Sequence, residues 1–339
     1  MTDKKKVALL IGINYTGTSN QLKGCQNDII KIKPILIDHY GYKTENIVIL
    51  MDKTNYISPT LLNIKNELIK IYTQTTKNIV DEICIYYSGH GTNITDRDKD
   101  EPDKKDECIV PLDYKNNGLI TDDYIYSFLS KLKPVKKILM IFDSCNSASC
   151  SDLPYSFTIM RNKIIKQNLS KKKPIVNNQN IFVLSGCFDN KYSYDVTELD
   201  GTPCGLLSYN LRKTLDKYNY SCTIEQLLLN IKSGFGSNDQ TPVLSVNSNK
   251  NILSTLMFES NKIITQITIN KPTNKISPDI IKKINEYNKQ INNLNSQFNE
   301  FNKQSKNITQ EQANTKINLY VEQYELLVNK LKSLSLTNQ

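Results

Sequence analysis

Six short runs of apolar residues without polar alternation constrain this chain more than any other feature of it. They occupy 7–13, 46–50, 82–89, 138–142, 181–185 and 241–246, and helical patterns separate most of them. A strand that alternates apolar and polar residues has one face in water. A strand that does not alternate must be covered on both faces, which is the situation in a parallel sheet layered by helices. The helical patterns carry their own punctuation. The stretch "SPTLLNIKNELIKIY" opens on Ser58, read as an N-cap, with Pro59 in the first turn. Thr121 caps a helix over 120–132, and Thr223 with Gln226 three residues on forms a capping box. Pro34 is the misfit, since it lies inside the helical pattern 25–39 and should kink or shorten it.

At 339 residues the chain is long enough for one main domain and something smaller. We read 1–155 as the larger part of an α/β domain and 156–180, where the apolar pattern gives way to Lys, Asn and Ser, as a basic linker. Residues 181–260 then complete the domain. From 280 the apolar residues Ile280, Ile284, Tyr287, Ile291, Leu294, Phe298 and Phe301 alternate in steps of four and three. That is a heptad seam, and a second follows at Ile317, Val321, Tyr324, Leu327 or Val328, and Leu331, so 275–339 reads as a helical, coiled-coil-like extension. Its helices pair with a second chain, giving self-association through 280–334, or fold back on their own core.

Lys+Arg 43 against Asp+Glu 34 leaves a net charge of +9, but the lysines are scattered among Asn and Ile rather than gathered on one motif. The one dense run, "SKKKP" at 170–174, sits in the linker, so a solvated basic surface is expected and no nucleic-acid partner. Eight cysteines show no C-x-x-C spacing, and Cys84 and Cys108 lie in apolar runs. Reduced, buried thiols in a cytoplasmic protein are expected. The start "MTDKKKVALLIGIN" imitates a signal peptide but lacks a small-x-small cleavage site, and it reads as a first strand. No apolar run approaches the ~18 residues of a membrane span, so no membrane partner is expected.

In an open parallel sheet, ligands gather outside the carboxyl ends of the strands. Two of these ends carry reactive groups. "EICIYYSGHG" delivers Ser88, Gly89, His90 and Gly91, and "ILMIFDSC" delivers Asp143, Ser144 and Cys145. An imidazole that takes a thiol proton makes a nucleophile and base pair. From the residues alone the nucleophile is Cys145 or Cys150. His39, the second of two histidines, sits near a helix end and reads as a structural residue.

The ordered blocks "KKVALLIGINY", "LKGCQND", "YYSGHGT", "DECIVPLDY…ITDD" and "FDSCNSA" resemble metacaspases, the caspase-like cysteine peptidases, over roughly 5–259. The resemblance implies a caspase-like, mostly parallel six-stranded sheet with helices on both faces. It implies a dyad of His90 and Cys145, an oxyanion hole from backbone N–H groups at Gly89 and Cys145, and Cys150 as a buried thiol. It further implies cleavage after Arg or Lys in protein or peptide substrates, with Cys25, Asp28, Ser88 and Asp143 forming the pocket for the cationic side chain. Activating Ca²⁺ would be held by Asp106, Asp122, Asp123 and Asp152, and self-cleavage would fall at Arg161, Lys163, Lys166, Lys171, Lys172 or Lys173.

The chain departs from the metacaspase pattern after the nucleophile, where Asn146 and Ala148 replace a His and a Gly. "DRDKDEPDKKDE" imitates an EF-hand loop, but its sixth position is Glu101 rather than Gly, and it reads as an acidic insertion. A second reading keeps the fold and makes the chain a weakly active or inactive homologue, a scaffold acting through its C-terminal helices. A legumain-like peptidase, a third, lacks the aspartate set.

Overall fold

The computed structural model of the chain describes residues 4–95, 104–145, 151–161, 163–167, 172–178, 180–186, 195–198, 200–236, 240–248 and 251–259, and five later positions, 286, 290, 293, 297 and 323. The chain divides into two compact units, 1–263 and 264–339. In the second, the five described positions are helical and exposed, and the seam residues lie outside the described set.

In the first unit the elements run β1 (Lys5–Gly12), α1 (Cys25–Asp38), β2 (Ile47–Met51), α2 (Leu61–Thr76), β3 (Val80–Ser88), β4 (Gly91–Thr95), β5 (Lys105–Ile109), the short α3 (Tyr114–Asn117), β6 (Ile120–Thr121) and α4 (Asp122–Lys131). After them come β7 (Lys137–Asp143), β8 (Tyr155–Met160), β9 (Lys163–Gln167), β10 (Ile181–Ser185), β11 (Asp195–Thr197), β12 (Pro203–Gly205), α5 (Leu206–Lys217), α6 (Ile224–Gly234) and β13 (Val243–Val246). The main sheet has the order β2-β1-β3-β7-β10-β13-β8-β9. Its first five strands are parallel, and β13 pairs antiparallel with β10.

The six strands expected from the apolar runs are six consecutive members of this sheet. The sheet nevertheless has eight strands, not six. The extra pair, the β8–β9 hairpin, comes from the stretch read as a linker and adds antiparallel to β13. Its alternating Ser156, Phe157, Thr158 and Ile159 give a weaker apolar signal than the parallel strands, though all four are buried.

The apolar runs divide between two cores with the two-residue period of a strand. Leu10, Cys84, Tyr86, Leu139 and Ile141 join Ile29, Ile32, Leu36, Leu211, Leu227 and Ile231 of α1, α5 and α6. Leu9, Ile11, Ile83, Ile85, Tyr87, Ile138 and Met140 join Ile64, Leu68, Ile125 and Leu129 of α2 and α4. Each such fully buried aliphatic side chain contributes about 1.5–3 kcal/mol.

Thr121 and Thr223 cap their helices as expected, the latter with both bonds of the capping box. Ser58 does not cap α2. Thr60 accepts from Asn63 N–H and the helix starts at Leu61, whose own amide donates to Asp113 Oδ1 (2.8 Å). A tertiary partner thus moves the helix start two residues past the position the local pattern favours. Pro34 neither ends nor shortens α1, which continues to Asp38.

Candidate active site

β3 and β7 are neighbouring parallel strands in register, with Ser88 opposite Asp143. Their carboxyl ends therefore leave the sheet together, and His90 and Cys145 each follow two residues beyond. The Gly89 amide donates to the Asp143 carbonyl (3.3 Å), joining the two exits. Gly91 has no room for a side chain, because a Cβ there would overlap the Cys145 carbonyl oxygen. The residue after the imidazole thus lies directly against the backbone of the thiol. Cys145 is half-buried, whereas the thiols of Cys25, Cys84, Cys108, Cys204 and Cys222 are buried. Burial above all pushes Cys108 and Cys204 up to about 12 and Cys222 up to about 11, which keeps those thiols protonated. Asn146, Ala148 and Cys150 lie outside the described residues.

His90 is held from several sides. Its Nε2 lies 2.7 Å from the Asn20 carbonyl. A carbonyl can only accept, so Nε2 carries the proton and Nδ1 is left as the basic nitrogen. The His90 amide donates to Tyr15 Oη (3.1 Å), and the His90 carbonyl accepts from Tyr87 Oη (2.6 Å). Tyr15 in turn donates to the Val110 carbonyl (2.6 Å), and its ring centroid lies 4.7 Å from that of the imidazole. Burial first, and the neighbouring Tyr87 second, raise the Tyr15 phenol well above its ordinary value, so it stays a donor. A cavity of about 460 Å³ opens beside His90, lined by Asn20, Gly91, Thr92, Val110 and Tyr114 among others. Tyr15, Asn20 and Tyr87 escaped the sequence reading. Tyr15 follows the first strand in a turn and Tyr87 sits in a strand that needs apolar bulk, so nothing local marks either. His39, by contrast, caps the end of α1 and stacks on Tyr220, ring centroids 3.3 Å apart.

The residues expected to receive a cationic side chain form a second layer below the rim. Asp28 in the first turn of α1 accepts from Ser88 Oγ (2.8 Å) and from the Gly205 amide (3.1 Å to each oxygen). Asp143 Oδ2 accepts from the Ser208 amide (2.8 Å) and the Ser208 hydroxyl (2.6 Å). Both acids are buried, and Cys25 lies buried at the start of α1. Desolvation, followed by repulsion from Asp143, raises the Asp28 carboxyl well above its ordinary range. Gly205 and Ser208 went unrecognised in the sequence. A Cβ at Gly205 would overlap the Asp143 carboxylate, so glycine is required by close approach. Behind the pair, Arg212 on α5 bonds Glu198 (2.5 Å), which also pairs with Lys31 of α1 (2.9 Å).

The acids expected to hold calcium come from β5 (Asp106), the first turn of α4 (Asp122, Asp123) and the segment after the nucleophile (Asp152). Asp106, Asp122 and Asp152 are buried. Asp122 accepts from the amides of Glu107 (2.7 Å) and Asp123 (2.8 Å), yet burial, with the negative charge of Asp152 next, pushes it up to about 8. The Lys172 ammonium contacts Asp123 and lies 3.1 Å from Asp152. Among the described residues no three acids stand at metal-binding spacing. The donor chemistry fits a hard cation, since crowded buried carboxylates need positive charge and offer only oxygen. A bound Ca²⁺ would supply that charge where β5, α4 and the Asp152 segment meet. Glu107, the twelfth position of the EF-hand-like run, is buried in β5, and 96–103 lie outside the described residues.

The expected self-cleavage positions are not a free linker. Arg161 is exposed in the β8–β9 turn, Lys163 and Lys166 lie in β9, and the Lys166 ammonium rests 4.3 Å from the Tyr155 ring centroid. Lys173 is exposed, with its carbonyl accepting from Tyr126 Oη (2.8 Å); Lys171 is outside the described residues.

The metacaspase, peptidase C14 domain matches residues 5–154. Metacaspase-1 of Schizosaccharomyces pombe is 32% identical over 289 residues, which are 71% of this chain and 67% of that protein. Metacaspase-1A of Neurospora crassa is 42% identical over 171 residues, 50% of this chain but 37% of that protein, so the chain spans well under half of this second relative. A crystal structure of a Geobacter sulfurreducens protein shares the fold at 22% identity and a TM-score of 0.51, covering 74% of this chain and 97% of that one. A run of six strands from the six apolar segments, a thiol and an imidazole leaving adjacent strand ends, and likeness over two thirds of a metacaspase all agree: the chain belongs to the metacaspases, a family of caspase-like cysteine peptidases.

Proposed function

We propose that this protein is an endopeptidase in which His90 and Cys145 act as a dyad and cleave after Arg or Lys. His90 Nδ1 takes the Sγ proton, and the thiolate attacks the scissile carbonyl. The imidazolium then protonates the leaving amine, and water releases the acyl group from sulfur. The oxyanion falls to the amides of Gly89 and Cys145, an interaction commonly worth about 3–4 kcal/mol per donor. In the resting structure the Gly89 amide is engaged with the Asp143 carbonyl, so substrate must exchange that bond.

The observation that carries the specificity is the buried Asp28–Asp143 pair one residue layer below the rim. Two close carboxylates repel each other, and a guanidinium or ammonium relieves that repulsion through charge-assisted hydrogen bonds. Cys25 and Ser88 complete the pocket. Ca²⁺ stimulates the enzyme through Asp106, Asp122, Asp123 and Asp152, and self-processing falls in the 161–173 region, where Arg161, Lys163, Lys166 and Lys173 are exposed, Lys163 and Lys166 within β9. The heptad-patterned segment 280–334 supports self-association.

The test is a fluorogenic peptide ending in Arg, compared with one ending in Asp, with and without Ca²⁺. Turnover of the Arg peptide that vanishes in Cys145→Ala is expected. Equal turnover in that variant, or preference for Asp, refutes the reading.

A further inference from the structure

We propose that Lys172 is a tethered cation that competes with the divalent ion for the acid cluster, so that binding of the ion expels Lys172 from its half-buried seat. This rests on the calcium reading above and goes beyond it.

Three observations carry it. The Lys172 side chain is 14% exposed, and its ammonium contacts Asp123 and lies 3.1 Å from Asp152, which is 1% exposed. The position that a metal would share with these two carboxylates is therefore taken. The same ammonium lies 5.2 Å from the Tyr126 ring centroid, a cation–π distance. The seat is also built from the far side. Tyr126 Oη donates to the Lys173 carbonyl, and Asn247 bonds the backbone of Ile175 and Asn178 at 2.6–2.7 Å. Anchors one and three residues along hold the lysine at high local concentration near the acids.

One ammonium brings a single positive charge to the four acids, whereas Ca²⁺ supplies two and accepts six to eight oxygens. Charge alone favours exchange when the ion is present. Occupancy by the lysine lowers the apparent affinity for Ca²⁺ by the fraction of molecules whose seat is open. Expulsion also removes the ion pairs that hold the Lys172 side chain, in the segment proposed for self-processing, and so couples the ion to the cleavage region.

The test uses the full chain as Cys145→Ala, which blocks self-cleavage. Lysine amines are acetylated with an N-hydroxysuccinimide ester in chelator and in Ca²⁺, and the Lys172 to Lys173 labelling ratio is read by mass spectrometry. Lys173 is the exposed reference. The ratio is expected to rise about tenfold or more with Ca²⁺, and adding Lys172→Met is expected to tighten Ca²⁺ binding about tenfold by calorimetry. Calorimetric Ca²⁺ binding with Lys172 still protected overturns the competition and leaves the calcium reading standing. If Ca²⁺ binds neither to Cys145→Ala nor to the double variant carrying Lys172→Met as well, the competition and the calcium reading both fall.

Discussion

At the scale of single residues, the two buried carboxylates below the rim behave differently from surface acids. Asp28 keeps its proton to a higher pH in the folded protein than in the unfolded chain, because burial and Asp143 disfavour its charge. The sign follows from linkage. Below the unfolded value of about 3.8 both states are protonated and nothing is lost. As pH rises from there toward the raised folded value the group increasingly opposes folding, and beyond that value the penalty is constant. Without substrate, the difference in thermal midpoint between Asp28→Asn and the parent is expected to grow in favour of the variant as pH rises; a difference independent of pH contradicts this. Cleavage of the Arg peptide by the same variant is expected to fall about ten- to a hundredfold, the scale of a lost charge-assisted hydrogen bond. Tyr15→Phe removes the hydroxyl that accepts from the His90 amide and donates to Val110. It is expected to lower kcat about tenfold with little change in KM, on the scale of one hydrogen bond of ~1.4 kcal/mol. Circular dichroism of the variant should match the parent, and a change confined to KM would assign Tyr15 to substrate binding instead.

At the scale of elements, close approach at strand and helix ends decides the site. Gly205 joins β12 to α5, puts its amide on Asp28 and leaves room for the Asp143 carboxylate. Gly205→Ala is expected to cost Arg-peptide activity more than about tenfold by displacing Asp143, with the nucleophile still alkylated by iodoacetamide. Loss of both readouts would mean a collapse of the rim rather than of the pocket. Thr223→Ala removes one half of the capping box of α6 and is expected to destabilise the domain by about 1 kcal/mol in urea unfolding. These elements were unevenly legible. Long apolar runs and hydroxyl caps speak through local chemistry, so the six strands and two of the three caps stood out. The β8–β9 hairpin did not, because its lysines interrupt the pattern and its few apolar residues are buried only once β8 pairs with β13. Ser58 failed as a cap because Asp113, more than fifty residues on, sets where α2 begins.

At the scale of the molecule, the first unit closes on itself. The Lys137 ammonium at the start of β7 is buried and bonds Glu259 Oε1 (2.6 Å) and the Leu256 carbonyl (3.2 Å), tying the last described loop to the central sheet. A chain ending after residue 263 is therefore expected to keep the parent's thermal midpoint and its activity, while its elution volume reports whether 280–334 associates. Ending the chain before Glu259 leaves the Lys137 ammonium with only the Leu256 carbonyl and is expected to lower stability by about 1–2 kcal/mol. Truncation at either point with the same effect would show that this ion pair does not hold the sheet.

What the sequence alone determined is the set of parallel strands and the reactive groups on their ends, because burial on two faces demands unbroken apolar runs and a nucleophile with its base needs particular residue types. Only the tertiary structure decided which groups meet: Tyr15 and Asn20 at the imidazole, Gly205 and Ser208 on the carboxylates, Lys172 among the acids. Those contacts join residues from about 20 to 180 positions apart, and their partners are backbone amides, carbonyls and scattered side chains whose identity carries no local signature.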